Sequence, residues 1–333
     1  MSGRWSRSAL SLVALGLLLA SGCAGAGVGS SGRLRVVATV SPITNIVHNI
    51  GGDKIDLTGL VPEGTNSHTF EPAPSDAKVL AEADVVFLNG LHLEEPTRAL
   101  AEGAISEGTP LVELGEMTIS PDSYIYDFSF PMEAGDPNPH LWTNPLYGKA
   151  YAREVRDELS RLEPADKSYF AANYRDFATR VDSLDAAVRR ASASLSSGER
   201  KLLTYHDSFP YFAREYSWDV IGAVQPADFS EPTPREVADL IGQIEDEKVP
   251  AVFGSEEFPS PVLEQIAAET GARYVDALRD DDLPGEPGDA EHSYLSLLVS
   301  DFSTIVDSLG GDASDLAGVD ASNLTGDGAV DYR

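Results

Sequence analysis

The chain has 333 residues, enough for two lobes with their own cores. Apolar residues make up 42% and charged residues 23%, so the composition is that of a soluble globular protein and not of a disordered chain. A formal net charge of −30 repels phosphate backbones, which excludes nucleic acid as a partner; it favours cations, although most of it reads as solvated acidic surface.

The chain opens with Arg4 and Arg7, then an apolar run from Ala9 to Ala20, then Ser21-Gly22-Cys23. The run is short for a membrane span and ends in small residues, the layout of a secretory signal peptide over residues 1–22. Cys23, the one cysteine, resembles the lipidated cysteine of a bacterial lipobox, although Ala20 stands where a bulky aliphatic residue is usual. Residues 23–32 then read as acylation site and Gly/Ser-rich tether, which predicts an extracytoplasmic protein held to the membrane by lipid. With one cysteine, no intramolecular disulfide is possible, so packing must supply the stability.

From residue 33 strand and helix signals alternate. Leu34–Val40 reads as a buried strand and Ile43–Ile50 as a helix stopped by Gly51-Gly52. Asp56–Val61 is a strand, Ser75–Ala83 a helix, Asp84–Leu88 a strand and Pro110–Val112 a short strand. From Pro164 to Leu195 apolar residues recur at steps of three and four: Phe170, Tyr174, Phe177, Val181, Leu184, Val188, Ala191, Leu195. That is one amphipathic helix, about 45 Å long at 1.5 Å per residue. Alternation resumes after it, with strands at Lys201–Tyr205, Trp218–Val224, Ala251–Phe253 and Ala272–Val275. Helices at Pro234–Glu247 and Pro261–Thr270 fit between them. The predicted fold is α/β: two lobes (33–163 and 198–309), each a mainly parallel β-sheet flanked by helices, joined by one long rigid linker helix over 164–197. Residues 310–333 are rich in Gly, Ala, Ser and Asp and read as an acidic disordered tail.

Ligands of parallel sheets gather beyond the carboxyl ends of strands. Of six histidines, His68 follows the second strand, His206 follows Lys201–Tyr205, and His140 sits in the Pro-rich loop Pro137–Pro145. Asp276 follows Ala272–Val275. These four divide two and two between the lobes, as a cleft site requires. No short-spaced zinc motif is present. His48, His92 and His292 read as structural. Glu256, at the end of Ala251–Phe253, points toward the same cleft and is a candidate to orient a ligand imidazole.

Val61–Asp76, Asn89–Glu94, Pro139–Pro145, Tyr205–Phe212 and Tyr274–Leu278 together resemble the zinc- and manganese-binding solute receptors of ABC importers, over about Leu34 to Leu309. The resemblance implies metal ligands at His68, His140, His206 and Asp276, and two α/β lobes joined by a long helix. It also implies hand-over of the ion to a membrane permease. Manganese-selective members often carry a carboxylate where His206 stands. Three imidazoles and one carboxylate suit Zn(II) in a near-tetrahedral site, with Mn(II) the alternative. A filled shell of four protein ligands leaves no activated water, which argues against the rival reading of a zinc hydrolase. Nothing in these residues points to a protein partner, as the other rival, a surface adhesin, would need, and the chain reads as a monomer. Gly115–Pro139 lacks the His-rich loop of many zinc receptors and reads as an acidic solvent loop.

Overall fold

The computed structural model describes residues 32–225, 230–255, 260–325 and 330–332, and residues 33–333 form one unit. Cys23 and Glu256 lie outside the described residues.

The first lobe begins with strand β1 (Leu34–Ala38), helix α1 (Ser41–Gly51), β2 (Ile55–Gly59), α2 (Asp76–Glu82), β3 (Val85–Leu88), α3 (Glu95–Ala104), β4 (Leu111–Glu113) and α4 (Leu114–Thr118). All its strand pairs are parallel, and β1 sits between β2 and β3 in register Leu34↔Ile55 and Val36↔Val85. Along β1, Val36 and Ala38 join one apolar cluster and Val37 joins another. A strand buried on both faces is what a parallel sheet with helices on each side demands.

An 18-residue helix, α5 (Pro145–Leu162), then leads through a short 3-10 turn into α6 (Lys167–Ala193). At 27 residues, α6 is about 40 Å long. Pro164 sits at the start of the 3-10 turn, so the linker begins as a tight turn and not as helix. Phe170, Phe177, Val181, Leu184, Val188 and Ala191 are buried along one stripe of α6. The exception in the expected stripe is Tyr174, half-buried under the Arg156 guanidinium 4.4 Å from its ring centre. Sequence reading assigned no element to α5, yet it buries Tyr151, Ala152, Val155 and Leu159 and packs beside α6.

The second lobe contains β5 (Lys201–Thr204), α7 (Pro210–Tyr216), β6 (Asp219–Ala223), α8 (Pro234–Glu247), β7 (Ala251–Ser255), α9 (Pro261–Thr270), β8 (Arg273–Leu278) and α10 (Tyr294–Ser308). Its sheet runs β6-β5-β7-β8, all parallel. The expected two-lobed parallel α/β fold is therefore the observed one. One apolar cluster runs through both lobes and α6, joining Val36 and Phe87 to Phe177, Phe212, Phe253 and Phe302. The Phe212 and Phe302 rings stack at 4.5 Å.

The expectation of a disordered tail is corrected. Leu316 and Ala313 are buried, and Arg190 and Arg180 of α6 reach Asp315 and Asp320 at 2.7 and 3.0 Å. The Asn323 side-chain oxygen accepts from Asn45 (3.1 Å) and Asn49 (3.0 Å), and its amide donates to the His292 carbonyl (3.0 Å). Strand β9 (Asp331–Tyr332) then adds to β2, giving the order β4-β3-β1-β2-β9. Composition misleads here because few apolar residues are needed when Leu316 is buried and side-chain amides do the pairing.

Candidate metal centre

Four chain segments converge where the carboxyl ends of the two sheets meet. His68 lies in the turns after β2. Its backbone N–H donates to Asn66 Oδ1 (3.0 Å), a local Asx turn that fixes the loop. Gly64, in the same loop, has φ 72° and donates its N–H to Asp282 of the other lobe. His140 precedes a 3-10 turn, Leu141–Thr143. Asn89 at the end of β3 holds the Pro139 carbonyl (3.0 Å) and is itself held by the Tyr151 hydroxyl of α5 (2.8 Å). His206 follows β5, where Thr204 Oγ1 donates to its carbonyl (2.6 Å).

The three Nε2 atoms meet: His68–His140 and His68–His206 are 3.1 Å apart, and His140–His206 is 2.9 Å. The far ring nitrogens of His140 and His206 are committed. His140 Nδ1 donates to Asn138 Oδ1 (2.8 Å), and His206 Nδ1 donates to Gln225 Oε1 (2.7 Å). The Asn138 orientation is fixed by its neighbours, since Oδ1 also accepts the His140 N–H (3.0 Å) and Nδ2 donates to the Asp207 carbonyl (2.6 Å). With the proton on Nδ1, a neutral ring presents a bare lone pair at Nε2. Burial, then the neighbouring His206, pushes the His68 and His140 pKa values well below the usual range, so both rings are neutral at pH 7. The three Nε2 atoms thus crowd within 2.9–3.1 Å of one another, where nitrogen lone pairs repel. A cation relieves that repulsion. Around tetrahedral zinc with bonds near 2.05 Å the nitrogens would sit about 3.3 Å apart, so the triad is already close to ligating geometry.

The carboxylates come from the loop after β8. Asp280, Asp281 and Asp282 are all buried. Asp280 Oδ2 is 3.8 Å from His206 Nε2, and His140, Asp280 and Asp281 have ligand atoms within 4.8 Å of one another. Asp281 accepts from the Ser67 hydroxyl with Oδ2, while its Oδ1 is buried without a hydrogen-bond partner. Burial and then Asp280 push Asp281 up to about 6. Trp142 Nε1 donates to the Asp280 carbonyl (2.7 Å), so the 3-10 turn beside His140 also holds the acidic loop.

Asp276 is not brought to this cluster. β8 continues to Leu278, which places Asp276 inside the strand with its side chain exposed. The expected strand ends at Val275, three residues before the observed end, and the aspartates beyond that observed end are Asp280, Asp281 and Asp282. Asn138 and Gln225 were also missed; the one available signal for Gln225 was a polar residue just beyond a strand end. The remaining histidines are apart from the site. His92 is exposed beside Glu95 (3.0 Å), His48 is 3.2 Å from Thr325 Oγ1, and His292 is 3.3 Å from Glu63. Gly115–Pro139 is more than an acidic solvent loop, because it delivers Phe130 and Asn138 to the cluster.

Two α/β lobes braced by a long helix, with nitrogen and oxygen donors meeting between them, define a metal-binding receptor. The chain belongs to the family described as zinc-uptake complex component A, periplasmic (ZnuA), whose profile matches residues 36–308. Among curated relatives, the metal ABC transporter substrate-binding lipoprotein FimA of Streptococcus parasanguinis is 28% identical over 273 residues, 81% of this chain and 88% of that one. The manganese ABC transporter substrate-binding lipoprotein PsaA of Streptococcus anginosus is 28% identical over 287 residues, covering 84% and 90%. Among solved structures, the periplasmic zinc-binding protein TroA of Treponema pallidum superposes with TM-score 0.76 at 28% identity, covering 84% of this chain and 99% of that one.

Proposed function

We propose that this chain captures one Zn(II) between its lobes and hands it to the permease of an ABC importer. Nε2 of His68, His140 and His206 and Oδ1 of Asp281 are the ligands, with Asp280 completing charge compensation. The observation that carries the reading is the meeting of three Nε2 atoms within 2.9–3.1 Å, two of them on rings locked with the proton on the far nitrogen. Ser67 holds one oxygen of Asp281 and leaves the other unpartnered, which is how a carboxylate is aimed at a cation. Relatives are named for both zinc and manganese. Zinc is favoured here because three nitrogens and one oxygen suit a tetrahedral borderline ion, whereas manganese prefers oxygen donors. Four protein ligands leave no position for an activated water, so the same set argues for carriage over hydrolysis.

The test is elemental analysis of metal-stripped protein after exposure to equimolar zinc and manganese. The expected result is one zinc per chain. Retained manganese overturns the choice of ion, and no retained metal overturns the receptor reading. His140→Ala and Asp281→Asn should each weaken zinc binding at least about 10-fold, while Asp276→Asn should leave it unchanged. Anchoring through Cys23 is part of the proposal: Cys23→Ser should move the protein from the membrane fraction to the soluble fraction on cell fractionation.

A further inference from the structure

We infer that Phe130 sets which dications the site accepts, by closing one face of the histidine cluster to water. The inference rests on the metal reading above. The Phe130 ring centre lies 5.6 Å from that of His68, 5.7 Å from that of His140 and 6.4 Å from that of His206. The phenyl ring thus lies against all three imidazoles, nearer His68 and His140 than His206. The residue is buried, at 7% exposure, although Phe128 and Met132 on either side of it are exposed.

The ring is held from the opposite lobe. Ser129 Oγ donates to the Gln225 carbonyl (2.6 Å), and the Ser129 N–H donates to Asp207 Oδ2 (3.3 Å). Gln225 is also the residue whose side chain orients His206, and Asp207 is the next residue along. Cover and ligands are therefore fastened to one another. Within the loop, the Asp127 N–H closes a turn onto the Phe130 carbonyl (2.9 Å).

A phenyl ring has no lone pair to give a metal, and water placed against it finds no hydrogen-bond partner. Zinc is satisfied by four ligands. Manganese favours six, mostly oxygen, and with four from the protein would need water for the rest. Covering this face removes space for that water, so the cost falls on manganese and spares zinc.

The experiment measures zinc and manganese affinities of metal-stripped wild type, Phe130→Ala and Phe130→Leu, and records the visible absorption of each loaded with Co(II). Four-coordinate Co(II) absorbs strongly in the visible, and added water ligands weaken the band. Phe130→Ala should narrow the zinc-over-manganese preference by about 10-fold and weaken the band, whereas Phe130→Leu should stay near wild type. An unchanged ratio and spectrum in a Phe130→Ala protein that still binds one ion overturns the inference and leaves the receptor reading intact. Wild type that takes up neither Zn(II) nor Co(II) at one per chain overturns both. Should the alanine variant not fold, Phe130→Val must still shift the ratio in the same direction, and an unshifted ratio there counts against the cover equally.

Discussion

On the proposed reading, Asn138 decides whether the ion is held without touching it. Its oxygen accepts two hydrogen bonds from His140, one from the backbone N–H and one from the ring Nδ1, and its amide donates to the Asp207 carbonyl across the lobes. Asn138→Ala should release the His140 ring to exchange tautomers, lowering zinc affinity by about 10–100-fold in a chelator competition. The lost partners should also cost about 1–3 kcal/mol of stability. Unchanged affinity would mean that the ring is oriented by packing against Trp142 and Phe130 alone. Part of this was legible in the sequence. His68 and His206 stand just past strands, where a parallel sheet exposes its ligands, and that rule needs no three-dimensional information. Asn138 and Gln225 were not legible, because their roles depend on facing a particular nitrogen, and no spacing encodes that. The acid was lost to a strand boundary: three residues decide whether Asp276 or Asp281 lies beyond the edge of β8.

Among the elements, the loop between α4 and α5 departs furthest from its sequence appearance. Its acidic residues suggested solvent, yet Asp127 lies close enough to buried Asp207 for the two carboxyls to oppose each other's charge. Burial first, then the Asp207 charge, pushes Asp127 up to about 9. Between the usual Asp range near 3.9 and about 9 the folded chain holds a proton that the unfolded chain has released, so stability falls as pH rises across that window. Around and below pH 7 other groups blur this slope: burial lowers His68 and His140, and raises Asp281 and Asp282 to about 6 and Glu63 and Glu94 to about 7. From pH 8 to 9 those groups have largely finished titrating. Metal-free protein should then lose stability at up to about 1.4 kcal/mol per pH unit, and Asp127→Asn should flatten the decline. Melting temperatures of both proteins at pH 8 and 9 check this, and parallel declines would show that the Asp127 proton is not the cause. The α5 helix escaped notice for a different reason. Gly148 and the Pro-rich approach break the pattern at its start, and its buried face becomes evident only against α6. By contrast, α6 was plain from its unbroken three-and-four spacing, since that stripe is packed along nearly its whole length.

At the scale of the molecule, the chain ends by returning to where it began. After α10 it drops Leu316 into the core, lies along α6 through Asp315 and Asp320, and bridges Asn45 and Asn49 with Asn323. It then adds β9 to the outer edge of the first lobe's sheet beside β2. The family match stops at residue 308, so this segment lies beyond the matched region. A strand laid on β2 covers an otherwise open sheet edge, and a chain that leaves one lobe and pairs with the other adds a second tie beside α6. Removing residues 310–333 should therefore cost more than its two exposed ion pairs, which contribute little on their own. Burying one leucine is worth about 2–3 kcal/mol and each amide hydrogen bond about 1 kcal/mol. The truncated protein should melt roughly 5–10 °C lower. It should still bind zinc at one per chain, because every ligand and every group that orients a ligand precedes Gly310. Calorimetry of the metal-free and zinc-loaded truncation separates the two outcomes. An unchanged melting temperature would show that the tail is only laid on the surface, and lost zinc binding would show that lobe spacing at the site depends on this tie.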